Sequence, residues 1–210
     1  MNKAIITLLL TVWFAESTFG QVNLGFSAGL NNSTGKVTNF EEIPVKGRFG
    51  YFVGIAPNYR ISKKWQFQID FQYSLKGFDI DNQGRFTAKG FRYGYLDMMP
   101  EIEYRLVEYL SLGLGVNYGI KLNEQFKIED EDWSNSGDFE VINPTDFGLT
   151  GKLKVNYKNV YGFVRYNIGL TNIANFTFTD REGQNIDDAK QFNRNLQIGI
   201  GYTLNFRKVE

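Results

Sequence analysis

The 210-residue chain is sized for one domain, and its 23 Lys plus Arg balance 23 Asp plus Glu, leaving no basic field to hold nucleic acid. It has no cysteine and no histidine, which excludes disulfides, thiolate and imidazole metal sites, the usual catalytic triads and the commonest general base. With 16% aromatics, 22 glycines and only 4 prolines, the composition favours strands and turns over helices.

The chain begins "MNKAIITLLLTVWFAESTFGQ". Lys3 precedes an apolar run from Ala4 to Ala15, and the small residues Thr18 and Gly20 stand three and one before Gln21. This pattern predicts a secretory signal peptide over 1–20, cut near Gly20/Gln21, with one domain over 21–210. The run is too short for a helical span, which needs about 20 residues, and no other stretch comes closer. Membrane insertion would therefore have to use strands.

Period-two alternation then recurs eight times. The first strand, about 22–30, sets Val22, Leu24, Phe26, Ala28 and Leu30 against Asn23, Gly25, Ser27 and Gly29. The second, about 48–59, carries Phe49, Tyr51, Val53, Ile55 and Tyr59 on its apolar face. The third, "WQFQIDFQYSL" (65–75), alternates without a break, and the fourth, about 92–105, sets Leu96, Met98, Ile102 and Tyr104 against Asp97, Met99, Glu101 and Glu103. The remaining four, at 110–122, 145–157, 160–171 and 194–206, repeat the rhythm. Successive strand side chains point to opposite faces, so each segment has one apolar and one polar wall.

Short links "RISKK", "LVEY" and "KN" alternate with long polar stretches, 31–47, 77–91, 123–144 and 172–193. An even number of strands, with tight turns at one end and long loops at the other, is the asymmetry of a transmembrane barrel. Nine glycines, among them Gly29, Gly113, Gly115 and Gly199, share the polar parity, as a lumen only wide enough for side chains requires. Aromatics of the apolar parity fall at both edges. Tyr59, Trp65, Tyr104, Tyr157 and Phe206 would form the periplasmic girdle, and Tyr51, Tyr73, Tyr118 and Phe147 the outer one. The fold class read from the sequence is therefore all-β, an eight-stranded antiparallel up-and-down transmembrane β-barrel behind a cleaved signal peptide.

Three segments, "YLDMMPEIEYRL" (95–106), "TDFGLTGKLKV" (145–155) and "VRYNIGLTNI" (164–173), resemble strands of the PorT-like outer-membrane β-barrel family. So does a signal peptide followed by a Gly-rich first strand. The resemblance spans the mature chain and implies a small outer-membrane barrel of a Gram-negative bacterium. It implies no particular activity.

The inward charges are the most chemical feature. Asp70, Glu101, Lys152 and Arg165 are expected near mid-depth, with Asp97, Glu103 and Lys154 above or below them. Unpaired charge in a narrow lumen is costly, so these residues should form a paired plug, with an ion or proton path as the rival reading. "GLNNSTGKV" (29–37) imitates a phosphate-binding loop, but Val37 stands where the magnesium-binding hydroxyl belongs and no helix follows. The stretch Glu129, Asp130, Glu131, Asp132, Asp138 and Glu140 has Asn135 and Val141 at the EF-hand glycine and glutamate positions, so it reads as a solvated loop. Trp133, at its centre, is a possible loop contact.

The sequence thus predicts an integral outer-membrane protein, a plugged scaffold whose outer loops mediate surface interaction. Its partners would be outer-membrane lipid and an extracellular or envelope protein, with no nucleic acid, enzyme activity, metal or cofactor. A narrow pore for ions or small solutes is the alternative. A soluble periplasmic lipocalin-like barrel holding an apolar ligand is the second.

Overall fold

The structure, a computed structural model, describes residues 22–39, 45–80, 88–128, 132–136, 140–179 and 184–206. The signal-peptide segment 1–20, the cut before Gln21, and Glu129, Asp130, Glu131 and Asp138 lie outside the described residues.

Eleven strands follow in chain order: β1 (Val22–Thr38), β2 (Val45–Arg60), β3 (Trp65–Ile80), β4 (Ala88–Val107), β5 (Leu110–Ile128), β6 (Ser134–Asn135), β7 (Thr145–Tyr157), β8 (Val160–Gly169), β9 (Phe178–Thr179), β10 (Asn185–Ile186) and β11 (Lys190–Asn205). Eight of them close a ring. β1 to β5 pair in sequence, β5 pairs with β7, β7 with β8 and β8 with β11, and β11 returns to β1, every pair antiparallel. This is the expected up-and-down eight-stranded barrel. The two-residue β6 pairs antiparallel with the outer end of β5, while β9 and β10 form a separate hairpin.

The alternation read from the sequence sets the wall. Leu112, Leu114, Leu149, Leu153, Ile198 and Ile200 point outward and are exposed to whatever surrounds the barrel. Asn31, Gln72, Glu101, Thr150, Arg165 and Gln197, of the opposite parity, are buried in the lumen. A soluble lipocalin-like barrel would invert this arrangement. Hydrocarbon offers a backbone N–H or C=O no partner, and closure supplies one at every strand without leaving an edge.

Both expected girdles face outward in the structure. At the short-turn edge Trp65 lies opposite Tyr104 with ring centroids 4.7 Å apart, and Tyr157 and Phe206 are exposed nearby. At the other edge Tyr118 lies opposite Phe147, and the rings of Tyr51 and Tyr73 are 6.1 Å apart.

The outer connections differ from the reading of 31–47, 77–91, 123–144 and 172–193 as loops. β1 continues to Thr38, β3 to Ile80 and β5 to Ile128, while β2 and β4 begin at Val45 and Ala88. The phosphate-loop look-alike 29–37 is therefore strand, paired on one side with β11 throughout. Its polar composition did not break it, because a neighbouring strand already offers the backbone partners and an antiparallel ladder continues regardless of side-chain polarity.

The lumen is also more aromatic than the glycine pattern suggested. Phe52, Tyr161 and Phe163 are buried inside it as one cluster. The glycines make the room: a Cβ on Gly199 would sit 2.6 Å from the Phe52 ring and 2.8 Å from the Phe163 ring. Rings laid over glycine backbone fill the gap that the missing side chains leave.

Leu114, exposed on the wall at the level of the lumen charges, tests the lipid assignment. Leu114→Arg should lower unfolding stability in bilayers by about 2–4 kcal/mol. Denaturant titration in lipid vesicles measures this, and an unchanged midpoint would place that face outside hydrocarbon.

Candidate functional site

Alternation aims a charged residue inward from each of β3, β4, β7 and β8, and closure brings these strands face to face. Arg165 of β8 is fully buried, and its guanidinium pairs with Asp70 of β3 and, at 3.0 Å, with Glu101 of β4. The same group donates to the amide oxygens of Gln72 (3.3 Å) and Gln197 (3.2 Å). Lys152 of β7 is held between Glu101 and Glu103, 2.6 Å from the latter, and Lys154 pairs with the other Glu103 oxygen. Three acids and three bases thus form one neutral, buried chain of ion pairs across the lumen.

Asp97 is not part of that chain. It pairs at 2.8 Å with Lys76 and accepts a hydrogen bond from Ser74, while the Lys76 ammonium lies 4.7 Å from the Tyr95 ring centroid. Lys76 escaped the sequence reading because the third strand was ended at Leu75. The signal was present: position 76 continues the parity of 66, 68, 70, 72 and 74.

Toward the outer end two segments read as open loop fold back into the mouth. Ile142 and Ala174 form a β-bridge, the Asn143 N–H donates to the Ile173 carbonyl at 2.7 Å, and the Asn175 N–H donates to that of Val141 at 2.9 Å. Val141, Ile142 and Ile173 then pack on Phe78, Tyr93 and Tyr95. Glu124 latches this cap: its carboxylate accepts the N–H groups of Val141 (3.1 Å) and Ile142 (3.2 Å) and pairs with Lys121 at 2.7 Å. Asp146, also buried, accepts from Asn193 at 2.8 Å, and Asn193 in turn accepts the Tyr93 hydroxyl at 3.0 Å.

Trp133 is half-buried at the rim, clamped between Arg48 and Arg92, whose guanidinium carbons lie 4.3 and 4.4 Å from its ring centroid. Arg48 also pairs with Asp79 and Arg92 donates to Gln125, so the clamp belongs to the strand ends. Both cation–π contacts stabilise the packed position of the indole.

A closed strand ring with an apolar exterior, aromatic girdles and a charged interior is membrane-barrel architecture. The family model described as "Outer membrane protein beta-barrel domain" matches residues 14–175. The chain belongs to this family. It is accordingly an integral β-barrel protein of the bacterial outer membrane, surrounded by lipid. Solved outer-membrane barrels are similar to the chain at low identity. The outer membrane protein OprG from Pseudomonas aeruginosa is 15% identical with a TM-score of 0.50, the match covering 89% of this chain and 97% of that one. The attachment invasion locus protein Ail of Yersinia pestis, solved with the heparin analogue sucrose octasulfate, is 16% identical with a TM-score of 0.48, covering 88% and 99%. Neisserial surface protein A is 13% identical with a TM-score of 0.48, covering 87% and 97%. Comparison with curated protein sequences returns no match.

Removing one member of a buried ion network leaves its partners unpaired. Arg165→Leu should therefore cost about 3–5 kcal/mol and lower the melting temperature of the detergent-solubilised barrel; an unchanged melting curve would remove Arg165 from the network. Glu124→Ala should speed amide hydrogen exchange at Val141 and Ile142 by about tenfold or more, since each N–H loses a charged acceptor. Unchanged protection there would show that the cap does not depend on this latch.

Proposed function

We propose that this barrel is a plugged outer-membrane scaffold whose outer strand ends and connections contact a partner outside the cell. The observation that carries the reading is the double blockade of the lumen. The Arg165 ion-pair layer crosses it at mid-depth, and the cap of Val141, Ile142 and Ile173 covers its outer mouth. A barrel closed twice is built for rigidity, and rigid walls position loops for recognition. The outer part of the molecule is correspondingly elaborate, with long strand extensions, the β9–β10 hairpin and the Trp133 clamp. Phe176, exposed beside Phe178 with ring centroids 4.7 Å apart, offers an apolar contact there.

The resemblance of 95–106, 145–155 and 164–173 supports the PorT-like branch of the family, with export by a signal peptide removed near Gly20/Gln21. The reading includes no enzyme activity. It includes no cofactor either.

A narrow pore remains the alternative, favoured by one specific observation. Between the ion-pair layer and the cap, the side-chain amides of Asn167 and Asn195 are buried without a protein partner, a stretch polar enough to hold water.

Planar-bilayer recording separates the two. The scaffold predicts no resolvable conductance steps, whereas stable steps would establish the pore. Exchanging residues 132–136 for a Gly-Ser linker should leave the heat-dependent gel mobility of the barrel intact and abolish adhesion of cells displaying it. Undiminished adhesion would remove this connection from the contact surface.

A further inference from the structure

The periplasmic end of the lumen is open where the outer end is capped. Beneath the ion-pair layer the wall surrounds a cavity of about 460 Å³, within the range of small-ligand sites. Its floor is Lys154, held by Glu103. Because the three acids and three bases of that layer balance, the field in the cavity is set by its rim. Among the described residues, Arg105 and Lys158 line that rim together with Glu108. The adjoining turn adds Lys63 and Lys64. A recess with low-dielectric walls focuses such a field onto an entering anion.

The walls supply a second kind of chemistry. Asn23, Asn58 and Gln68 are buried along the sides, with Asn156 and Asn205 nearer the opening. Side-chain amides both donate and accept, which suits the hydroxyl and acetamido groups of a sugar. Three tyrosines share the lining. Tyr161 is buried inside, its hydroxyl donating to the Phe26 carbonyl at 3.2 Å, and Tyr109 is 61% exposed at the opening, where a ring can offer its face; Tyr157 keeps its outward place in the girdle. Cationic rim, amide walls and aromatic faces together fit an acidic saccharide of about disaccharide size. An anionic phospholipid shares the charge but not the access. Asn23, Asn58 and Gln68 lie on the inward parity, behind the strand wall, so a headgroup reaching them would draw its acyl chains out of hydrocarbon into water.

We propose that this vestibule binds a carboxylate-bearing amino-sugar glycan presented from the periplasm, of the kind that makes up the cell wall. The site lies at the opposite end of the barrel from the proposed surface contacts and does not rest on them. It gives the barrel a periplasmic anchor.

The test is calorimetric titration of the protein in zwitterionic nanodiscs with a soluble disaccharide–tetrapeptide muropeptide, using neutral diacetylchitobiose as control. Saturable one-to-one binding of the muropeptide is expected, with chitobiose binding far more weakly. The double variant Arg105→Gln/Lys158→Gln should weaken binding by about tenfold, the equivalent of two rim-charge contacts. Glu108→Lys, at an exposed turn, should tighten it and keeps the test open if the double variant does not fold. Absence of saturable binding, equal affinity in the charge variants, or equal binding of chitobiose would overturn the proposal. So would loss of binding when the nanodiscs carry phosphatidylglycerol, since a lipid headgroup would then be the occupant.

Discussion

Hydrocarbon has no hydrogen-bonding partner for a peptide group, and the rest of this molecule follows from that constraint. Each strand must find both neighbours, so the sheet closes, and eight strands leave an interior only wide enough for side chains. Whatever points inward is therefore buried by geometry, whether or not it is apolar. Charged residues on the inward parity can exist there only if they neutralise one another. The Asp70–Arg165–Glu101–Lys152–Glu103–Lys154 chain is that solution, with β3, β4, β7 and β8 each contributing at least one member.

The lumen is consequently stratified. A polar vestibule opens to the periplasm, the neutral ion-pair layer lies above it, and Phe52 and Phe163 lean over the glycines of β1 and β11 beside that layer. Higher still come the amide-rich stretch and the Lys76–Asp97 pair, and then the cap. The ion-pair, aromatic and cap layers are chemically self-sufficient: charge meets charge, ring meets glycine, and cap backbone meets Glu124. The two ends differ because the connections differ. Tight turns such as Lys158–Asn159, with Lys158 in the left-handed region at φ 53°, have no length to fold inward, whereas the long outer connections return to cover the mouth.

This stratification bears on function through the two surfaces left over. The outer surface is elaborate and stands on a rigid wall. The inner vestibule is cationic at its rim and lined with amides. A scaffold with one recognition surface on each side of the membrane is economical for a single small domain, and neither surface needs the lumen to conduct.

The fold was legible because its signal is local. Strict alternation decides which side chains share a face, and the outward crowd of Leu, Ile and aromatics against inward glycine and charge decides which face meets lipid. The same parity would have placed Lys76 inward, had the third strand been followed one residue further. Other features had no local signature. Which cation meets Arg165's acids, and that Asp97 pairs elsewhere, depend on how the closed strands stagger around the ring, which no single strand encodes. Tyr161 and Phe163 read as ordinary strand aromatics until Gly199 and Gly201 of β11 arrive opposite them. Val141, Ile142 and Ile173 are isolated apolar residues in polar connections, without period or motif. Only the closed barrel, by fixing Lys121 and Glu124 at its mouth, provides the partners that fold them in. The sequence by itself determined the faces of the eight barrel strands, because side-chain direction is a property of neighbouring residues; the tertiary structure decided the pairings across the lumen and the cap, because those are properties of closure.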